Sequence, residues 1–230
     1  MTTAESLQAH TSSSIAYERM LQKGMAVACF LFPLLYLVSA IYFITGTREF
    51  IGDPVFQWVS NHDVEQYRFS QWAWMAMIPA AIGITRLLRD KKPRLAFWGA
   101  VIAFTGGLFQ VSADGVERRG AQLRQAGLDV YWNTGGIAPS PLDFIGLLIL
   151  LWIIGMMMLG IACWRTGVLP KWASALIALG PLAFFIYQGP GALIPSLPPI
   201  AYQVAAVCFL LAFPVVGMKL WRGETTGVNP

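Results

Sequence analysis

Six stretches of the chain, Gly24–Thr45, Trp72–Leu88, Leu95–Val111, Leu142–Cys163, Trp172–Tyr187 and Ile200–Leu220, are continuously apolar, with charge only near their margins at Arg86, Asp143 and Lys219. The hydrocarbon core of a bilayer is about 30 Å thick, so a spanning helix needs roughly 17 to 25 predominantly apolar residues. Five stretches have that length, and Trp172–Tyr187, at 16 residues, falls one short of it. None alternates with period two, so helices rather than barrel strands are expected. Composition agrees, with 56% hydrophobic and only 12% charged residues against about a quarter charged in ordinary soluble domains. The expected fold class is therefore all-α, a polytopic six-helix membrane bundle. Its membrane domain covers 24–222, between a cytoplasmic segment 1–23 and a tail 223–230.

Orientation follows from the basic residues, which accumulate on the cytoplasmic side of multispanning proteins. With the N-terminus inside, eleven of the sixteen fall on the inner side: Arg19, Lys23, Arg86, Arg89, Lys91, Lys92, Arg94, Arg165, Lys171, Lys219 and Arg222. Eight of the twelve acids fall outside. The expected topology is N-in/C-in, multi-pass, in a bacterial inner membrane. Tryptophans favour headgroup depth. Trp98, Trp164, Trp172 and Trp221 mark the inner boundary, Trp58, Trp72, Trp74 and Trp132 the outer, and Trp152 alone lies at mid-depth. Val38-Ser39-Ala40 looks like a signal-peptide cleavage site, but the apolar run continues past it, as in a signal anchor.

Outside the spans, Ala16, Tyr17, Met20 and Leu21 near helical spacing suggest an amphipathic helix on the inner surface, with Met1–Ser13 its polar tail. The inner turn Arg89-Asp90-Lys91-Lys92-Pro93-Arg94 is polybasic. It fixes topology and presents Arg89, Lys91, Lys92 and Arg94 to anionic lipid. In the first outer loop, Asp53-Pro54 before Val55, Phe56, Trp58 and Val59 reads as an N-capped interfacial helix. In the second, Asp114 to Gln125 reads as a polar extension of span three, turns are expected at Gly127 and at Asn133-Thr134-Gly135-Gly136, and Ser140-Pro141-Leu142-Asp143 caps the fourth span. The third, Gln188 to Pro199, has no charge and stays at the interface. Pro79, Pro181 and Pro214 interrupt spans two, five and six. Gly99, Ala103 and Gly107, Ser174 with Ala178, and Ala201 with Ala205 read as packing seams.

Much membrane chemistry is excluded by missing residues. A retinal Schiff base needs a mid-span lysine, and bis-histidine haem needs paired span histidines, whereas His10 and His62 lie outside the runs. Cys29, Cys163 and Cys208 sit singly in three spans, which suits neither a thiol oxidase nor zinc. No cofactor, metal or nucleic acid is expected. Ion-coupled transport places ionisable groups within the bundle, and no acid falls inside the apolar runs away from their margins. The interior polar groups are neutral. Gln110, Tyr187, Gln188, Tyr202 and Gln203 are the candidate ligand-binding set, either lining an outer-facing cavity for a lipid-like ligand or joining helices by hydrogen bonds. Asp114 and Asp143, at the junction of spans three and four, are the candidate catalytic acid and base if the protein is an enzyme acting on a lipid or isoprenoid.

The Arg165-x-Gly167-x-Leu169-Pro170-x-Trp172 connection between spans four and five, with Asn61-His62-Asp63 before span two, resembles a broad group of bacterial six-span integral membrane proteins of unknown function. The resemblance implies the same fold and location and no particular activity. The expected role is a non-catalytic binding, accessory or assembly subunit with a membrane-protein partner or a second copy of itself. A small membrane enzyme and an uncoupled small-molecule carrier are the alternatives.

Overall fold

The computed structural model describes residues 3–46, 48–51, 57–126, 141–188 and 197–223. Among them are six helices: α1 (Thr3–Thr45), α2 (Asp63–Leu88), α3 (Pro93–Gln125), α4 (Pro141–Thr166), α5 (Lys171–Gln188) and α6 (Leu197–Trp221). Three regions within them, Ser14–Thr45, Pro93–Leu123 and Ile200–Trp221, are long and apolar enough to cross a membrane. Each apolar run of the sequence lies inside one helix, and most of the helices extend beyond their runs. Pro33, Pro79, Pro181 and Pro214 sit inside helices that nevertheless continue through them.

Two expectations change. The N-terminal segment is not a separate helix on the inner surface: α1 runs unbroken for 43 residues, about 65 Å at 1.5 Å per residue. Its lower part is tied to the bundle by side chains. Arg86 pairs with Glu18, Gln22 Nε2 donates to the Leu220 carbonyl at 2.7 Å, and the Lys23 ammonium lies 5.5 Å from the Trp221 ring centroid. The interfacial helix expected in the first outer loop is also replaced where it is described. Trp58 and Val59 lie in a strand, β2 (Gln57–Ser60), antiparallel to β1 (Arg48–Ile51), with Phe50 opposite Trp58 and Glu49 opposite Val59. Aromatic and β-branched residues in two short runs favour this pairing over one short helix. Asp53 to Phe56, the turns at Gly127 and Asn133 to Gly136, the Ser140 cap, most of the uncharged third loop and nearly all of the C-terminal tail lie outside the described residues.

Each helix packs against its neighbours in sequence, and α6 returns to α1, so the helices form a closed ring; α2 also touches α4 and α6. The connections at one end are short. Between α2 and α3, Lys91 N–H and Lys92 N–H both donate to the Leu88 carbonyl, at 3.1 and 2.9 Å. Between α4 and α5 the chain turns at Gly167, whose φ of +66° is a conformation that favours glycine. Lys91 Nζ donates to the Thr166 carbonyl at 3.3 Å, joining the two turns. The lower part of α1 and the end of α6 meet at this same end, where the eleven basic residues gather.

Inside the ring is an aromatic core. Trp74 and Trp152 meet edge to face at 4.5 Å. Phe184 approaches both, and Phe32, Phe209 and Phe213 continue the cluster. Trp152 Nε1 donates to Met77 Sδ at 3.2 Å, which gives a fully buried indole N–H its partner. Trp74 is thus a core residue and not an outer-boundary marker. Trp98, Trp164, Trp172 and Trp221, by contrast, are exposed near the basic end.

Helix α3 has the composition of its two faces reversed relative to a helix of a water-soluble protein. Its buried positions among the described side chains are Ala96, Gly99, Ala103, Gly106, Gly107, Gln110, Asp114, Gly120 and Ala121. Every one is small or polar. Its exposed face carries Phe97, Trp98, Val101, Phe104, Leu108 and Val116. Small residues let helix backbones approach closely. A Cβ on Gly155 of α4 would lie 2.7 Å from the Gly99 carbonyl oxygen, and one on Gly106 would lie 2.7 Å from Trp152 Cα. The seam with α4 therefore runs through Gly99, Ala103 and Gly106. Gly107 faces Met77 and Ile78 of α2 instead.

Candidate functional site: a buried polar centre

At the end of the bundle away from the basic turns, polar side chains converge from four helices. On α3, Gln110 and Asp114 are one helical turn apart on the buried face, and they are 2% and 4% exposed. Gln110 Nε2 donates to Asp114 Oδ1 at 2.8 Å. The remaining acceptors of the pair, Gln110 Oε1 and Asp114 Oδ2, are buried with no hydrogen-bond partner among the described residues.

Helix α2 supplies the facing wall. Gln71 Nε2 donates to the Val111 carbonyl at 3.3 Å, which holds α2 and α3 together at this height. Ser70 and Trp74, again one turn apart, are polar neighbours of the Asp114 carboxyl. Trp74 Nε1 donates to Ser70 Oγ at 3.1 Å. Ser70 also neighbours the Tyr202 hydroxyl of α6, so it stands between the acid and a second group of buried hydroxyls.

In that second group, Ser39 Oγ of α1 donates to the Gln66 carbonyl at 2.9 Å and is 2.9 Å from Tyr202 Oη. Because the single serine proton goes to the carbonyl, Tyr202 is the donor to Ser39. The Tyr202 ring packs on Tyr36 at 4.9 Å. One polar layer thus links α1, α2, α3 and α6 directly above the aromatic core. A packed low-dielectric surrounding strengthens such bonds and makes any unmade one costly.

Of the candidate ligand-binding residues, Gln110 and Tyr202 belong to this layer. Gln203 is half-buried and, one residue on from Tyr202, points to a different side of α6. The side chains of Tyr187 and Gln188 lie outside the described residues. Of the two candidate acids, Asp114 is not at a solvated mouth but inside the bundle, because α3 continues as helix past its apolar run and turns this position inward. The Asp143 side chain is outside the described residues. The α3–α4 register, with Gly99 opposite Leu159, Ala103 opposite Gly155 and Gly106 opposite Trp152, sets position 143 of α4 at the level of Asp114 and Gly115.

Ser39, Ser70 and Trp74 were not among the candidates. The sequence signal for the last two is the same spacing of four that relates Gln110 to Asp114, two polar groups stacked on one helix face. Ser39 sits within an apolar run with nothing local to mark it. Among the described residues no cluster of His, Cys, Asp and Glu is suited to a metal ion. Comparison with family models, with curated proteins and with solved structures finds no match.

Proposed function

We propose that the protein is a six-span integral component of a bacterial inner membrane, with both termini cytoplasmic, acting as a non-catalytic binding, accessory or assembly subunit. The observation that carries this reading is α3. Bulky apolar side chains outside and small or polar ones inside suit a helix whose solvent is lipid. The eleven basic residues at one end, with exposed Trp98, Trp164, Trp172 and Trp221 beside them, support placing that end at the cytoplasmic surface. There Arg89, Lys91, Lys92 and Arg94 attract anionic lipid. The apolar flanks of the bundle, including Phe97, Phe104 and Leu108, are the surfaces on which a membrane partner or a second copy packs.

Purification in mild detergent followed by native mass spectrometry tests the role. A retained lipid, a partner subunit or a defined homo-oligomer supports it. A bare monomer that turns over a lipid substrate defeats it.

The membrane-enzyme reading keeps one specific support, the common level of Asp114 and position 143 on adjacent helices. Asparagine at both positions, with normal abundance but loss of a cellular phenotype, would favour it. An unchanged phenotype would remove it.

A further inference from the structure

Hydrogen-bond accounting at the polar layer leaves one imbalance. The Gln110 amide and the Asp114 carboxyl meet through one bond, Nε2–H to Oδ1. The two atoms left over are both acceptors, Oε1 and Oδ2, and both are sealed from solvent. An ionised carboxylate has no proton to offer, so in that state Gln110 Oε1 remains orphaned in the core, and the charge has the neutral Ser70 and Trp74 as its other polar neighbours. Buried charge without a compensating partner is rare in packed interiors. The ion pairs of the described residues, Arg68–Glu65 and Arg86–Glu18, lie elsewhere.

We propose that Asp114 is a proton-binding site, neutral in the resting bundle, with the proton on Oδ2 donated to Gln110 Oε1. Together with the observed Nε2–H to Oδ1 bond, this closes a two-bond acid–amide ring and satisfies both leftover atoms with one hydrogen. The ligand is chosen by space and by donor chemistry. Trp74, Trp152 and Tyr202 pack the region to 1% exposure or less, and a proton needs no room. A metal cation would need an array of oxygens, whereas the amide of Gln110 and the indole of Trp74 present N–H groups here.

The titratable groups around the acid are few. Glu117 lies one turn further along α3 and Tyr202 faces it from α6, while α2 contributes the neutral Ser70 and Trp74. The α4 backbone at position 143 runs at the same level, and Glu117 opposes a second negative charge at Asp114. The proposal goes beyond the accessory role above and does not depend on it: a proton-loading position exists whether the bundle binds, carries or assembles.

Infrared difference spectroscopy on the full chain in phosphatidylcholine vesicles tests it. At neutral pH the wild type should show the carbonyl stretch of a protonated carboxylic acid. Asp114→Asn should abolish that band, and Gln110→Leu should keep it but move it to higher frequency as its hydrogen bond is lost. If no such band is lost in Asp114→Asn, the carboxylate is ionised, its leftover atoms are served by water or an ion, and the proposal is overturned.

A second readout needs no spectroscopic assignment. A proton held by the folded state but not by the unfolded one makes stability fall as pH rises above the ordinary carboxylate range. The wild type should lose thermal stability towards alkaline pH, and Asp114→Asn should show a flatter dependence. Equal slopes would refute the proposal, and so would failure of Asp114→Asn to fold, because a neutral side chain of the same shape is what the proposal places there.

Discussion

Replacing Gly155 with alanine puts one methyl group into the tightest seam of the bundle. Its Cβ would lie 2.7 Å from both Ala103 Cα and the Gly99 carbonyl oxygen, and closer still to Ala103 N, where ordinary contact begins at 3.4 Å. These are backbone atoms and cannot rotate away, so α3 and α4 must part by at least roughly 0.7 Å. A gap of about 0.5–1 Å forfeits a quarter to a half of the dispersion well for each atom pair along the contact. Overpacking of this kind costs about 1–3 kcal/mol. Alanine also has better helix propensity than glycine by about 0.8–1.0 kcal/mol, which partly masks the loss. Gly24→Ala supplies the control, because a Cβ there meets nothing within 4 Å. The two variants should therefore diverge, Gly24→Ala gaining slightly and Gly155→Ala losing, by roughly 2 kcal/mol between them. Titration of the detergent-solubilised chain with sodium dodecyl sulfate, followed by tryptophan fluorescence, measures this. If Gly155→Ala proves as stable as Gly24→Ala, the close α3–α4 approach is wrong.

Three further outcomes follow from named contacts. Ser39→Ala removes both the bond to the Gln66 carbonyl and the acceptor of Tyr202. In the same titration it should cost about 0.5–1.5 kcal/mol for each of these bonds; a neutral result would contradict the buried Ser39 bridge between α1, α2 and α6. Arg86→Ala should cost only about 0–1 kcal/mol and less in high salt, since its partner Glu18 is half exposed; a large, salt-insensitive loss would mean that the pair is buried by another chain. Glutamine at Arg89, Lys91, Lys92 and Arg94 together should reduce co-purification of anionic lipid without altering the fold; unchanged lipid content would assign these residues to topology alone.

The sequence carries the helices more plainly than their faces. Continuous apolar runs identify each helix, since a spanning segment must satisfy its backbone internally. Hydropathy alone does not show where a helix ends, although Asp114 to Gln125 reads as a polar extension of span three and is one. The lower part of α1 and the far part of α3 are polar, yet both stay helical because packing and side-chain ties hold them, as Gln22 does through the Leu220 carbonyl. The inward direction of Asp114 depends on that continuation. It is legible in retrospect, because Ala96, Ala103, Gln110, Asp114 and Ala121 share one face at helical spacing. Asp114 by itself reads as the start of a solvated stretch. Gly106 and Gly107 show the same limit: adjacent glycines are equivalent in sequence, and only the register decides which meets α4 and which meets α2. The hairpin of β1 and β2 was obscured by Asp53-Pro54, a strong local helix-start signal, whereas the pairing of Phe50 with Trp58 joins residues across the loop.

The central claim, a six-span bundle with both ends on the cytoplasmic side, is tested most directly by protease accessibility. One cleavable tag is placed after Pro230 and another between Gly127 and Ser140. In intact spheroplasts the second should be cut and the first protected until the membrane is broken. Cleavage of the Pro230 tag from outside, or protection of the tag between α3 and α4, would contradict the topology.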